Sequence, residues 1–433
     1  MDLLSKTVRK NPDLVKVAAN LHRAGEIPPD TYVMDLDTVR ENSNKIYAEA
    51  KRHGLECYIC AKQFGRNPLV VKAIMNSGMR EAMAMDMEGL KSLHRYGIPV
   101  AHVGHYGQIP TSQLEYVLRK IRPHVITVFS LEKAKQISQV ACRLGITQKL
   151  LVKVHDDPRL EALTTGGGYG EEEALDVIKQ MNQMDNVRVV GATCYPAFHF
   201  SVFNKKYTMH DNFKAMMRVV HRMEKELGIR IEQVNAPGRN CVRNMELAAQ
   251  NGATHVEPGH SFMGTLPSDA FLDDSAELPA VVYVTEISHY FNGHALAFGD
   301  SYMATAVIGS LKNDMMYEYV YACVGNDPDN LPNQPLTLAR PQEFWHSDLG
   351  WSMYCSLMPK VMAHVGDTAV FGFRPQLYRT PKGRLAVVDG IQRKKPRLLG
   401  LFDHSGVLLE GENESPAGYD ASKVVRLMDS VPK

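Results

Sequence analysis

The chain has almost no net charge, no long apolar run and no even set of cysteines, and each lack removes a class of protein. Across 433 residues Lys+Arg number 49 and Asp+Glu 48. That balance gives neither the basic footprint of a nucleic-acid binder nor a polybasic, membrane-attracting surface. Small-molecule chemistry is the expectation that remains. The opening residues MDLLSKTVRKNPDLVKVAANLHRAG scatter Lys6, Arg9, Lys10 and Asp13 among the apolar positions, leaving no uninterrupted apolar core for a signal peptide. No later stretch reaches the roughly 20 residues that span a membrane. The cysteines (Cys57, Cys60, Cys142, Cys194, Cys241, Cys323, Cys355) are odd in number and scattered, which suits reduced thiols better than a disulfide framework. A cytoplasmic protein is expected. Cys57 and Cys60 have CxxC spacing within the apolar run CYIC, but residues three apart on a strand face opposite sides, so no zinc or redox pair is expected.

What is present begins with length, which exceeds one compact core and suggests two domains. From about residue 32 to 265 one unit recurs: a short apolar run, a turn, then a stretch of helical periodicity. That is βα alternation. The predicted strands are Tyr32 to Leu36, Cys57 to Cys60, Glu81 to Ala84, Val100 to Gly104, His124 to Phe129, Leu150 to His155, Val187 to Cys194, Ile231 to Val234 and Thr254 to Glu257. Between them lie helix patterns such as NPLVVKAIMNSG, with Asn67 as cap and Pro68 at the first helical position, and EEEALDVIKQMN, whose acidic start complements the helix dipole. The strands should be parallel. A doubly wound sheet is one solution, and a (β/α)8 barrel matches the size better, although nine runs are one too many.

After about residue 270 the texture changes to alternating runs such as AVVYVTEI, HALAFGD, GDTAVFGF and GRLAVVDG, divided by turn residues. The expected division is a helical arm over 1–29, a barrel over 30–270 and a β-rich second domain over 271–433. The arm would pack on either domain or on a partner chain.

Barrel enzymes gather catalytic groups at the carboxyl ends of strands. Lys62 follows CYIC and the small Ala61, so its amine would project from an apolar strand end, where desolvation favours a neutral nucleophile able to form an imine. A lysine there can equally run its stem out to solvent. VNAPGRN (234–240) turns through Pro237 and Gly238 into a helix pattern, and HVEPGHSFMG (255–264) repeats the form with Gly259. Two adjacent glycine-containing strand ends are how barrels build a phosphate site, though each alone is an ordinary turn. Glu257 ends the last run and points a carboxylate into the same mouth. Buried, it needs a partner: a cofactor's ring nitrogen, or a neighbouring Arg or Lys. TTGGGYG (164–170) fits no phosphate fingerprint and is read as a flexible helix entry. His346 and Asp348 in FWHSDLGW have no third ligand at convincing spacing, so no metal site is expected.

These residues in this order resemble the fold-type III pyridoxal-phosphate enzymes: alanine racemases, ornithine-type amino acid racemases, and the ornithine and diaminopimelate decarboxylases. The nearest resemblance is to the YhfX-type alanine-racemase-like group. It covers roughly residues 30 to 270. YVMDLDTVRENSNKI is similar to the opening strand and helix of these families, where the first strand can belong partly to the second domain. CYICAKQFGRNPLVVKAIMNSG resembles their lysine segment, which implies that Lys62 holds pyridoxal 5'-phosphate as a Schiff base. GATCYPAF (191–198) resembles the strand-seven motif and carries a cofactor contact to Tyr195. Asn235, Ala236 and Gly238 fall on the phosphate loop, and Gly259 with His260 on the second phosphate-contacting turn.

Two departures matter. Alanine racemases have Arg where this chain has Glu257, whereas decarboxylases have a Glu-Pro-Gly piece like Glu257, Pro258 and Gly259. A carboxylate there makes the ring a strong electron sink. In HALAFGDSY the resemblance puts Phe298 at the tyrosine that serves alanine racemases as a base, and phenylalanine transfers no protons. The Cys-Asp or Cys-Glu pair of the decarboxylases is also missing, since Val324 follows Cys323 and Ser356 follows Cys355. The expectation is an amino acid racemase or epimerase, acting as a homodimer, with Tyr354 and Cys355 as candidates for the second acid. The alternatives are a decarboxylase or lyase, and a non-enzymatic pyridoxal-phosphate carrier, a role that a second domain of this size makes less attractive.

Overall fold

Two amphipathic helices, α1 (Leu3–Lys10) and α2 (Pro12–Arg23), lead into β1 (Thr31–Asp35) and α3 (Leu36–Arg52). Asp2 caps α1 by accepting from the Ser5 N–H, and Asn11 caps α2 with Pro12 at its first position. The structure, a computed structural model, describes residues 2–157, 159, 166–302, 307–308, 316–317, 320–339, 353–358, 362–380, 382–409 and 421–432. Residues Ile46–Ala61 and Gly78–Gly259 form one compact unit; Met1–Lys45, Lys62–Ser77 and His260–Lys433 form another.

The first of these units holds eight parallel strands closed into a barrel. They are β2 (Glu56–Cys60), β3 (Glu81–Ala84), β4 (Val100–Val103), β5 (Val125–Val128), β6 (Gln148–Lys153), β7 (Val187–Thr193), then, after the hairpin β8 (Phe198–Ser201) and β9 (Lys206–Met209), β10 (Gln233–Asn235) and β11 (His255–Val256). Pairing of Val256 with Cys57 closes the ring. VAHV of β4 and VITV of β5 are buried throughout, as parallel strands covered on both faces must be. Helices α5 (Met87–Arg95), α6 (Leu114–Tyr116), α7 (Leu131–Leu144), α8 (Glu171–Met181), α9 (Asp211–Leu227) and α10 (Val242–Gln250) fill the connections. The acidic start of α8 folds back on itself, the Gly170 N–H donating to Glu173 Oε1 at 3.2 Å. Gly191 is required by the barrel: a Cβ there would lie 1.7 Å from the Gln233 carbonyl oxygen on the paired strand.

The second unit is a nine-stranded sheet. It contains β12 (Val281–Phe291), β13 (His294–Phe298), β16 (Tyr321–Gly325), β17 (Thr337–Leu338), β18 (Tyr354–Ser356), β19 (Thr368–Gly372), β20 (Arg384–Asp389) and β21 (Arg397–Asp403), and β14 (Val307–Ile308) pairs separately with β15 (Met316–Tyr317). The order is β17-β16-β19-β12-β1-β20-β21, with β13 on β12 and β18 on β13. The extra ninth run of the sequence is therefore β1, which lies in this sheet, antiparallel to β12 and parallel to β20. Leu14, Val15, Ala18 and Ala19 of α2 pack with Val33, Val282, Val284, Val370, Ala386 and Val388, so the opening helices lie on their own unit's sheet. In the same unit α4 (Pro68–Met75), capped by Asn67 as expected, contacts α11 (Ala421–Ser430). None of the seven cysteines is in a disulfide. Among the described residues no helix is long and apolar enough to cross a membrane.

Candidate active site

Within the barrel unit the carboxyl ends of the strands converge on Glu257, the first residue after β11. Its side chain is buried, and Oε1 lies 2.5 Å from His102 Nδ1 and 2.9 Å from Asn235 Nδ2. Both bonds fall on Oε1; among the described residues none falls on Oε2. Its ion-pair partner is a histidine rather than the Arg or Lys that the sequence offered as an alternative. Burial pushes the Glu257 carboxyl up, but the charge and hydrogen bond of His102, with His105 and Asn235, override it and bring the group down to about 2. His102 Nε2 in turn lies 2.6 Å from Thr127 Oγ1.

Asn240, which the sequence did not single out, joins the two glycine-containing turns. Its Oδ1 accepts from the Glu257 N–H at 3.0 Å and its Nδ2 donates to the Ala236 carbonyl at 2.9 Å. The Ala236 N–H is already bonded to the His255 carbonyl, so its amide is committed to the barrel. Asn235 Oδ1 is buried without a hydrogen-bond partner among the described residues. Gly238 has φ +96°, and a Cβ there would press 3.0 Å from the Tyr195 ring; only glycine lets the turn lie so close. Tyr195 packs edge-on against Tyr106 (centroids 4.7 Å) and His105 (5.8 Å). Burial, then the neighbouring Tyr195, holds the Tyr106 phenol well above its ordinary range. Gly259 follows Pro258, whose carbonyl accepts from the Cys60 N–H of β2.

In the other unit Lys62, the second residue after β2, opens a single 3-10 turn, Lys62–Phe64. Its Nζ lies 5.4 Å from the Tyr378 ring centroid, and Arg66 flanks the same ring at 5.8 Å. His260 is buried, with Nδ1 3.2 Å from Thr265 Oγ1 and Nε2 3.2 Å from Gln376 Nε2. Burial first, then the charges of Arg374 and Lys62, hold it well below its ordinary range, so it is neutral at physiological pH. Ser261 Oγ is buried and has no hydrogen-bond partner among the described residues.

Tyr354 and Cys355 stand on β18 of this sheet unit. Tyr354 pairs across the strands with Phe298, and both line a pocket of about 270 Å³ with Asp30 and Arg384. Cys355 is buried, and desolvation pushes its thiol far above the ordinary range. His346 and Asp348 lie outside the described residues. His102, His105, Tyr106, Thr127 and Asn240 went unremarked in the sequence. The run AHVGHYG carries two histidines at a strand end, which is the signal that the barrel-mouth rule could have used.

A closed parallel barrel, glycine turns after its last two strands and a mixed sheet that reclaims the first strand define an alanine-racemase-like protein. The chain belongs to the family described as "Alanine racemase, N-terminal domain", which matches residues 34–267, and residues 282–398 match "YhfX-like, C-terminal domain". It is 29% identical over 399 residues to the "Uncharacterized protein YhfX" of Escherichia coli (strain K12), covering 92% of this chain and 97% of that one. Among solved structures, D-threonine aldolase from Filomicrobium marinum superposes with a TM-score of 0.62 at 12% identity, covering 88% of this chain and 96% of that one. An alanine racemase of Clostridium difficile 630 does so with a TM-score of 0.59 at 16% identity, covering 87% and 99%. At these identities the structural likeness shows the fold.

Proposed function

We propose that the chain is a pyridoxal-phosphate-dependent enzyme acting at the α-carbon of an amino acid, an amino acid racemase or epimerase that works as a cytoplasmic homodimer. The observation that carries the reading is Glu257: a buried carboxylate, held ionised through Oε1, with Oε2 taking no hydrogen bond among the described residues. Such a group suits a protonated pyridine nitrogen. For the phosphate, the Gly238 turn of the barrel unit carries no Cβ, and in the other unit the buried Ser261 hydroxyl lacks a partner among the described residues.

When bound, the cofactor supplies an electron sink for the charge left at the substrate's α-carbon. Lys62 is assigned the cofactor's attachment and, once freed, the removal or return of the α-proton at its Nζ. Glu257 is assigned the ring nitrogen and Tyr195 the ring's surroundings, while Asn235 opens the phosphate turn and donates to Glu257 Oε1. Gly238, Gly259 and His260 are assigned the phosphate; Ala236 lends its carbonyl to Asn240 and so shapes that turn. A neutral His260 accepts or donates without adding charge there. For the second proton carrier Tyr354 is the better candidate, since it lines a pocket while Cys355 Sγ lies buried against the carbonyls of Ala297 and Phe298.

Decarboxylation or retro-aldol lysis is the second reading, favoured by Glu257 and by Phe298 at the position the racemase reading would give to a tyrosine; D-threonine aldolase has the same fold. Incubating the purified protein with pooled amino acids in deuterium oxide separates the two. Inversion with α-deuterium uptake supports the racemase, and disappearance with release of carbon dioxide or a carbonyl product supports the lyase. No exchange, inversion or loss of any amino acid by cofactor-loaded protein would refute both.

A further inference from the structure

Glu257 is one end of a buried hydrogen-bond chain that crosses the barrel. His102 of β4 has both ring nitrogens engaged, Nδ1 with Glu257 Oε1 at 2.5 Å and Nε2 with Thr127 Oγ1 of β5 at 2.6 Å. His102 and Thr127 are fully buried and Glu257 nearly so. An ionised carboxylate only accepts, so the proton between it and Nδ1 sits on nitrogen. Thr127 can then accept from a protonated Nε2 or donate to a bare one, and neither state of the ring leaves Nε2 unpaired. Asn235 Nδ2 adds a second donor to the same Oε1, and Asn240 holds the Glu257 N–H. Every side-chain bond that Glu257 makes among the described residues is therefore spent on one oxygen.

We propose that His102, backed by Thr127, is a positioning residue: it anchors Glu257 through Oε1 and thereby leaves Oε2 presented to a cationic group. The inference rests on the reading of Glu257 as partner to the cofactor's ring nitrogen. Without the imidazole donor, a carboxylate buried here would take up a proton itself instead of keeping one on a partner. Among the described residues the titratable groups that face Glu257 are His102 and His105, Tyr58 of β2, Tyr106 after β4, and His255 at the start of β11. Burial keeps Tyr58 and Tyr106 protonated and brings His255 down to about 4, so these stay neutral near physiological pH.

The test compares the wild type with His102→Phe, His102→Gln and Thr127→Val. In cofactor-free protein, infrared difference spectra taken against Glu257→Gln read the Glu257 carboxyl as the pH is varied. His102→Phe should raise its proton affinity by about tenfold or more, the equivalent of at least ~1.4 kcal/mol. His102→Gln, which can still donate an N–H, should recover most of that change, and Thr127→Val should give a smaller rise. In cofactor-loaded protein the pH dependence of the visible absorption should move in the same order. A Glu257 titration unmoved in both His102→Phe and Thr127→Val overturns the positioning role. If His102→Phe does not fold, Thr127→Val decides alone by the same criterion. A carboxyl that shifts while the loaded spectrum stays put upholds the anchoring of Glu257 by His102 and overturns the assignment of Glu257 to the ring nitrogen.

Discussion

Replacing Glu257 by Gln removes one buried negative charge while keeping the side chain's shape and an oxygen that can still accept from His102 Nδ1. In the folded protein His102, His105 and Asn235 outweigh burial and bring this carboxyl from an ordinary 4.5 to about 2. A carboxyl with a depressed folded pKa contributes stability above its unfolded value and loses it as the pH falls toward the folded one. The window here runs from roughly pH 5 down to 2. The difference between 4.5 and about 2, at 1.36 kcal/mol per pH unit, makes the ionised group worth on the order of 3 kcal/mol at neutral pH. By about pH 3.5 on the order of 1 kcal/mol of that is gone. Urea unfolding of wild type and Glu257→Gln at neutral pH and near pH 3.5 measures it, because other carboxylates cancel in the difference between the two proteins. The stability gap should shrink by on the order of 1 kcal/mol in acid. A gap of the same size at both pH values would show that Glu257 is not held ionised by its neighbours.

The same variant should keep the cofactor, which Lys62 and the phosphate contacts still hold, yet lose roughly a hundredfold or more in kcat with a smaller change in KM, since about 2.7 kcal/mol is a factor of a hundred; equal turnover would contradict the role given to Glu257. Lys62→Ala should abolish the visible absorption of lysine-bound cofactor and its borohydride-reducible adduct, and persistence of either points to another lysine. Sedimentation at micromolar concentration should give a dimer, and a fully active monomer counts against the homodimer. Gly191→Ala should destabilise the barrel by about 3 kcal/mol or more, at or beyond the upper end of overpacking costs, because its Cβ would meet the Gln233 carbonyl at 1.7 Å; an unchanged melting temperature would mean that β7 and β10 are not so closely paired.

The periodicity of the chain placed every barrel strand within a few residues, since buried parallel strands read as short apolar runs between helices. What it could not tell was which of nine runs stood outside the ring. TYVMD of β1 is buried on both faces, and a central strand of a mixed sheet looks the same as a barrel strand. The order of the C-terminal sheet was equally hidden, because Val33 pairs with Val282 and Met34 with Val387, and no local pattern records partners so far apart. At the site, Glu257, Tyr195 and Gly238 were legible because they sit at strand ends or in glycine turns. His102 was not: it lies within β4, reads as part of an apolar strand, and meets Glu257 155 positions later. Likewise nothing local shows that the Ala236 N–H is taken up by His255.

The place of β1 orders the events of synthesis. This strand leaves the ribosome before any barrel strand, yet both its sheet neighbours, β12 and β20, come after the barrel is complete. All eight barrel strands are available once β11 has emerged, so the ring can close while β1 still waits with its edges bare. Pairings across such long sequence separations are slow to form, and an unpaired apolar strand is an aggregation hazard meanwhile. A chain truncated before β20 is therefore expected to be less soluble than one cut back at its N-terminus to remove β1 as well, and any attempt to produce the barrel alone should begin after Asp35.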